Sequence, residues 1–273
     1  GHAACAAGDR TASTAANTST SFNAALYVTA AASNTFSDGL VSNPNGDAAV
    51  LTDGSRFMTI LRSTCATGAG SLALFISASS SHTVNYSYLY SYGSGGVGLR
   101  VSEGATGNTI INSTVVSAGA AASPAVYFEN ASSNSIVASY FTSAKGDAGQ
   151  FWAGSNYNSI VRSTFSIPSA GQSGMYWQDA SSNSILASYF AAPSGTTLNL
   201  NTGSEGNIIT GSTFAAGSAA SPALYISESG SNTVTGSLII STAGTAVNLF
   251  QSPYATIRFS TISAEGVAVD VNG

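Results

Sequence analysis

Apolar residues in this chain come in short bursts that alternate with polar ones, and the bursts recur at a fixed spacing. A phrase of Asn, then Thr or Ser, then an apolar residue begins at Asn34. Its register returns at Met58, His82, Asn108, Asn134, Asn158, Asn183, Asn207, Asn232 and Ala255, in steps of 24, 24, 26, 26, 24, 25, 24, 25 and 23 residues. Two positions after each anchor stands an apolar residue, from Phe36 and Ile60 through Ile136 and Ile160 to Val234 and Ile257. Seven positions after it stands another, from Val41, Cys65 and Leu89 through Phe141, Phe165, Phe190 and Phe214 to Ile262. A further burst precedes the anchor, as in 25–28, 73–76, 125–128, 174–177 and 223–226, and a last copy occupies 268–271. Alternation over so few residues is strand periodicity, and no segment holds a 3.6-residue period long enough for a helix.

Strands repeating every 24–25 residues predict an all-β solenoid of ten to eleven coils, three short strands per coil. One coil cannot bury its own apolar face; stacking on its neighbours buries it and pairs every strand above and below. At ~4.8 Å per coil the rod is about 50 Å long. The whole chain, 1–273, reads as one domain, with 1–21 as a degenerate N-terminal coil or contact segment and 22–273 as regular coils. From about Phe22 to Val271 the pattern resembles the right-handed parallel β-helix superfamily, the pectate-lyase-like fold. That resemblance implies the fold. The superfamily spans polysaccharide lyases and hydrolases, phage tailspikes, adhesins and other surface proteins, and fold alone does not choose among them.

Two polar columns travel with the repeat. Asn34, Asn108, Asn134, Asn158, Asn183, Asn207 and Asn232 stack as an amide ladder whose side-chain N–H groups are expected to donate to the carbonyls of the next coil. Five positions after the anchor, Ser63, Ser87, Ser113, Ser139, Ser163, Ser188, Ser212, Ser237 and Ser260 form a hydroxyl ladder, broken in the first coil by Gly39. His82 stands in the Asn column and reads as a ladder substitute.

Charged residues are 7% of the chain and the net charge is −5, while 44% of residues are hydrophobic and patterned. Disorder needs the opposite combination. Seven scattered Lys and Arg residues make no phosphate-tracking patch, which excludes a nucleic-acid partner, and no apolar run approaches the ~20 residues of a membrane span. Sparse charge, abundant Ser, Thr and Asn and two cysteines point to a secreted or cell-surface protein. Cys5 and Cys65 are either a disulfide pinning the N-terminal segment or two unpaired thiols.

Candidate chemistry is sparse. Asp53, Glu103, Glu129, Asp179 and Glu228 share the bend after the first strand, with only Glu103 and Glu129 on adjacent coils. Ca²⁺ wants six to eight oxygens, so a solvated turn is the plainer reading. None of the seven basic residues falls with a carboxylate cluster in the repeat frame, so no catalytic residue, cofactor site or metal site is assigned and the chain is not expected to be an enzyme. The middle of the first strand carries Tyr27, Phe75, Tyr127, Phe151, Tyr176 and Tyr225. If its neighbours face the core, this row is an exposed contact surface for another subunit or for sugar rings; the inverted assignment puts the row in the core.

The sequence stops at Val269 and Val271 in a fresh copy of the first strand, without a capping helix. An open solenoid end is a template for a further chain. The leading expectation is therefore an extracellular structural protein that self-assembles head to tail into a filament or surface layer. A carbohydrate-binding or adhesive module using the aromatic row is the alternative. A polysaccharide lyase or hydrolase ranks below it, with an ice-binding protein using the single Thr/Ser file from Thr35 to Thr256.

Overall fold

A computed structural model describes residues 3–4, 14–16, 24–68, 70–168 and 171–272. They form three parallel sheets wound from one chain, and no helix occurs among them. The first coil shows the plan, with Leu26–Thr29 in the first sheet, Thr35–Ser37 in the second and Leu40–Asn43 in the third. Ten complete coils follow one another in this way, and Val269–Asn272 adds one more strand to the first sheet. Ala3–Ala4 and Thr14–Ala16 extend the first and third sheets at the other end. Ile136 lies directly over Ile160, as the 24-residue step requires.

Alternation along each strand sends one set of side chains inward. Phe128, Phe151 and Trp177 stack on successive coils with ring centroids 4.7 and 5.4 Å apart. Phe141, Phe165, Phe190 and Phe214 form a second stack at 4.6, 5.2 and 5.2 Å. Coil spacing and the preferred offset of stacked rings coincide here, so one geometry satisfies the backbone ladder and the aromatic core. Cys65 fills the same inward file as Phe141, and burial pushes its thiol up to about 12. Cys5 lies outside the described residues.

The two polar columns sit at the corners of the second strand. In the Asn column the expected donation occurs, from Asn134, Asn158 and Asn232 to the Ala105, Ala131 and Ser204 carbonyls of the preceding coil at 2.9–3.1 Å, and the side-chain oxygen accepts as well. Asn108 Oδ1 accepts the His82 backbone N–H, and the pattern repeats coil by coil to Asn232, at 2.7–2.9 Å. His82 joins it, its Nδ1 accepting the Met58 N–H at 3.0 Å. Asn34 instead donates to the Ala32 carbonyl. In the Ser column each hydroxyl accepts the N–H of the preceding coil at 3.1–3.3 Å. It donates to the carbonyl two residues back. At both corners the chain turns away from its neighbour, and the side chain satisfies a backbone N–H that the ladder no longer reaches.

The corners also carry a backbone signature. All ten residues just before the third strand's bend, from Asp38 and Arg62 to Gly236 and Phe259, are left-handed, with φ of 45–59°. Only two are glycine. The bend after the first strand alternates: Tyr27 precedes Asn34 by seven positions and Val50 precedes Met58 by eight. The longer bends hold Gly54, Gly104, Gly154 and Gly203, all with φ of 75–81°. Over the first nine coils the true repeat is therefore a pair of coils.

That alternation corrects the aromatic row. Tyr27, Phe75, Tyr127, Tyr176 and Tyr225 share the outward file of the first sheet, but Phe151 does not. The sixth coil has the longer bend, so Gln150 pairs with Tyr127 and Phe151 turns into the core, fully buried. Glu129 is corrected likewise. It lies on the strand opposite Ser102, one position before the bend that holds Glu103.

Candidate functional site

The outer face of the first sheet carries aromatic and amide side chains on successive coils. One file reads Phe75, Arg100, Tyr127, Gln150, Tyr176 and Asn199 on successive coils. The file beside it brings Glu129, Trp152, Gln178 and Asn201. Arg100 is sandwiched between Phe75 and Tyr127, its guanidinium carbon 5.7 and 5.5 Å from their ring centroids. Its Nη2 lies 2.6 Å from Glu129 Oε2. Both partners are partly exposed, so this pair orients the rings more than it stabilises the fold.

The rings continue across the next coils. Tyr127 meets Trp152 edge to face at 6.5 Å, and Trp152 lies 5.8 Å from Tyr176 at a tilt of 40°. The Tyr176 hydroxyl donates to Gln178 and accepts from Asn201, which fixes the ring. Beside it is a shallow depression of about 330 Å³, lined by Asp147, Gln150, Trp152, Ser173, Tyr176 and Asn199. Asp147 is almost fully buried at its edge. It accepts the Ser173 backbone N–H at 2.5 Å and the Gln150 amide at 2.7 Å. Burial raises its carboxyl above the usual range, and those two hydrogen bonds pull the other way. Two polar atoms on this face, Trp152 Nε1 and Asn199 Oδ1, are shielded from solvent and have no hydrogen-bond partner in the chain.

Other expected residues do not assemble. Asp53 receives a hydrogen bond from Thr29, Glu103 from Ser77 and Glu228 from Thr202, each across one coil. Among the described residues, no three His, Cys, Asp or Glu side chains gather as metal ligands would. The sequence had given the basic residues no carboxylate cluster; besides Arg100 with Glu129, Arg62 pairs with Asp38 on the preceding coil at 2.6 Å. Val269 and Val271, on the last strand, are exposed. No helix among the described residues is long and apolar enough to cross a membrane. The sequence had missed Trp152 and Gln150. The two-coil alternation of bend length, counted back from each anchor, is the signal that finds them.

The fold is the right-handed parallel β-helix. A family model described as "Right handed beta helix region" matches residues 151–273. Solved structures of the same architecture include the Dettilon tailspike protein gp208, 12% identical with a TM-score of 0.56 over 92% of this chain and 61% of that one. DFA-IIIase from Arthrobacter chlorophenolicus A6 is 12% identical, with a TM-score of 0.59 over 80% of this chain and 58% of the enzyme. Pectate lyase Pel9A is 10% identical, with a TM-score of 0.57 over 86% of this chain and 70% of the lyase. This chain thus spans about three fifths of the tailspike and of the DFA-IIIase. At such identities the likeness is one of fold. No curated protein matches the sequence.

Proposed function

We propose that this protein binds a polysaccharide along the outer face of its first sheet and does not cleave it. The observation that carries the reading is the row of Tyr127, Trp152 and Tyr176 rings interleaved with Gln150, Gln178, Asn199 and Asn201. Aromatic faces stack on the C–H faces of sugars, and side-chain amides pair with hydroxyls; a row of both along a rod suits an extended chain better than a small molecule. Solved proteins with this fold, among them pectate lyase Pel9A and the tailspikes, make a glycan ligand a natural choice.

The engagement of the carboxylates supports binding without turnover. Glycoside hydrolysis calls for a pair of carboxyl groups flanking the bond. On this face Glu129 is held by Arg100, and Asp147 is held by Ser173 and Gln150. A place outside the cytoplasm agrees with such a ligand. Head-to-tail polymerisation through Val269 and Val271 has no comparable support.

Glycan arrays and affinity electrophoresis in soluble polysaccharides test the proposal. The wild type is expected to be retarded by at least one polysaccharide, and Trp152→Ala and Tyr176→Ala each to weaken that binding about tenfold, the loss of roughly 1.4 kcal/mol of stacking. Retention unchanged in both variants, or product release from the bound polysaccharide, refutes it.

A further inference from the structure

The outer face of the third sheet has a different pattern. One file alternates without exception over ten coils. Leu40, Tyr88, Tyr140, Tyr189 and Leu238 occupy the odd coils, and Thr64, Thr114, Thr164, Thr213 and Thr261 the even ones. The five large residues are equally proud of the surface, each 37–45% exposed. Sterics do not require the alternation, because phenylalanines stack on consecutive coils just beneath. The neighbouring outward file is mostly small, with Tyr90 and Ile240 as its largest members. Neither file contains a charged residue or a side-chain amide. The face is a set of ridges two coils apart, about 9.6 Å, separated by threonine grooves.

We propose that this face is the interface of a homodimer in which two rods lie side by side with opposite polarity. A two-fold axis parallel to the strands, passing between the strands Tyr140–Ser143 and Thr164–Ser166, sets each file against its own copy in reverse order. Every large residue of the first file then meets a threonine: Tyr140 meets Thr164, Tyr88 meets Thr213 and Leu40 meets Thr261. The second file obeys the same operation, since Tyr90 meets Ala215 and Ile240 meets Ala66. A two-fold axis along the rods instead sets Tyr88 against Tyr90 in the same coil, ring against ring.

A two-fold interface must be self-complementary, and this one is so in both files at once. The absence of charge and the presence of tyrosine are the composition of an interface core. Ten coils of strands three or four residues long give about 600 Å² per partner, from ~4.8 Å per coil and ~3.3 Å per residue. The total of about 1,200 Å² reaches the range of specific interfaces.

Sedimentation velocity over a concentration series tests the pairing and its register. The wild type is expected to sediment as a dimer. Thr164→Tyr sets ring against ring twice near the axis and is expected to give monomer. Adding Tyr140→Thr to it restores one ring opposite one threonine and is expected to recover the dimer. A wild type that stays monomeric at every concentration overturns the proposal, including one whose third face takes up a glycan instead. So does a dimer that ignores Thr164→Tyr, or a double variant no better than Thr164→Tyr alone.

Discussion

The first and third sheets share one backbone plan and one core, yet their outer faces carry opposite chemistry. On the first, rings alternate with amides, one arginine is clamped between two aromatics, and a carboxyl is buried at the edge of a depression. On the third, the outward files hold only hydroxyls, methyls and rings. The inward residues are nearly interchangeable between the two, being stacked aromatics in both. A solenoid thus separates stability from recognition: the inner files hold the rod, and each outer face is free to take its own partner.

Changes to the inner files are expected to damage both faces together. Trp177→Ala empties the largest fully buried side chain and is expected to cost about 3–5 kcal/mol in denaturant unfolding. Glycan binding and dimerisation are expected to fail over the same denaturant range.

Acid gives a slightly smaller effect through one residue. Burial lowers the His82 imidazole to about 4 from 6.5, and its Nδ1 must stay unprotonated to accept the Met58 N–H. The folded pKa is depressed, so the unfolded chain binds more protons between those values. Stability is full above pH 6.5, falls as pH drops toward 4, and levels off below, with a loss of about 3 kcal/mol. His82→Asn supplies an acceptor that does not titrate. The difference between wild type and this variant across pH 7 to 4 isolates the effect, since Asp47 and Asp147, both raised by burial, cancel. Equal pH profiles contradict it.

Within the ladder, Asn158→Ala leaves the Asn134 N–H buried without its acceptor, for about 1–3 kcal/mol. The smallest stability effect separates the faces. Tyr176→Ala is expected to cost about 1 kcal/mol of unfolding free energy, from the lost Trp152 contact and hydroxyl hydrogen bonds, while weakening glycan retention and leaving the sedimentation of the dimer untouched. Thr164→Tyr is expected to do the reverse. A variant of either kind that moves both readouts breaks the comparison.

Much of this was legible in the sequence. The anchors from Asn34 to Ala255 fix the coil length, the inward Ile and Phe files and both polar columns, because stacking demands one residue type at one register. The corners were not. Left-handed backbone at Arg62, Tyr86, Ala138 and Phe259 leaves no mark in residue type, since the turn is enforced by the strands on either side. The register of the first sheet failed at Phe151 because a single added glycine in alternate bends, such as Gly154, shifts the file by one and turns a side chain from one face to the other. That shift hid Trp152, the central ring of the candidate site. The pairing of Arg100 with Glu129 was hidden by the same cause.

The two indoles allow the most direct test of the glycan face. The chain has two tryptophans, Trp152 on that face and Trp177 fully buried beneath it. In a ¹H–¹⁵N spectrum, with Trp152→Phe to assign the two indole signals, titration with an oligosaccharide selected on the array is expected to shift the Trp152 resonance and leave Trp177 in place. Saturable binding of that oligosaccharide with the Trp152 signal unmoved contradicts the account.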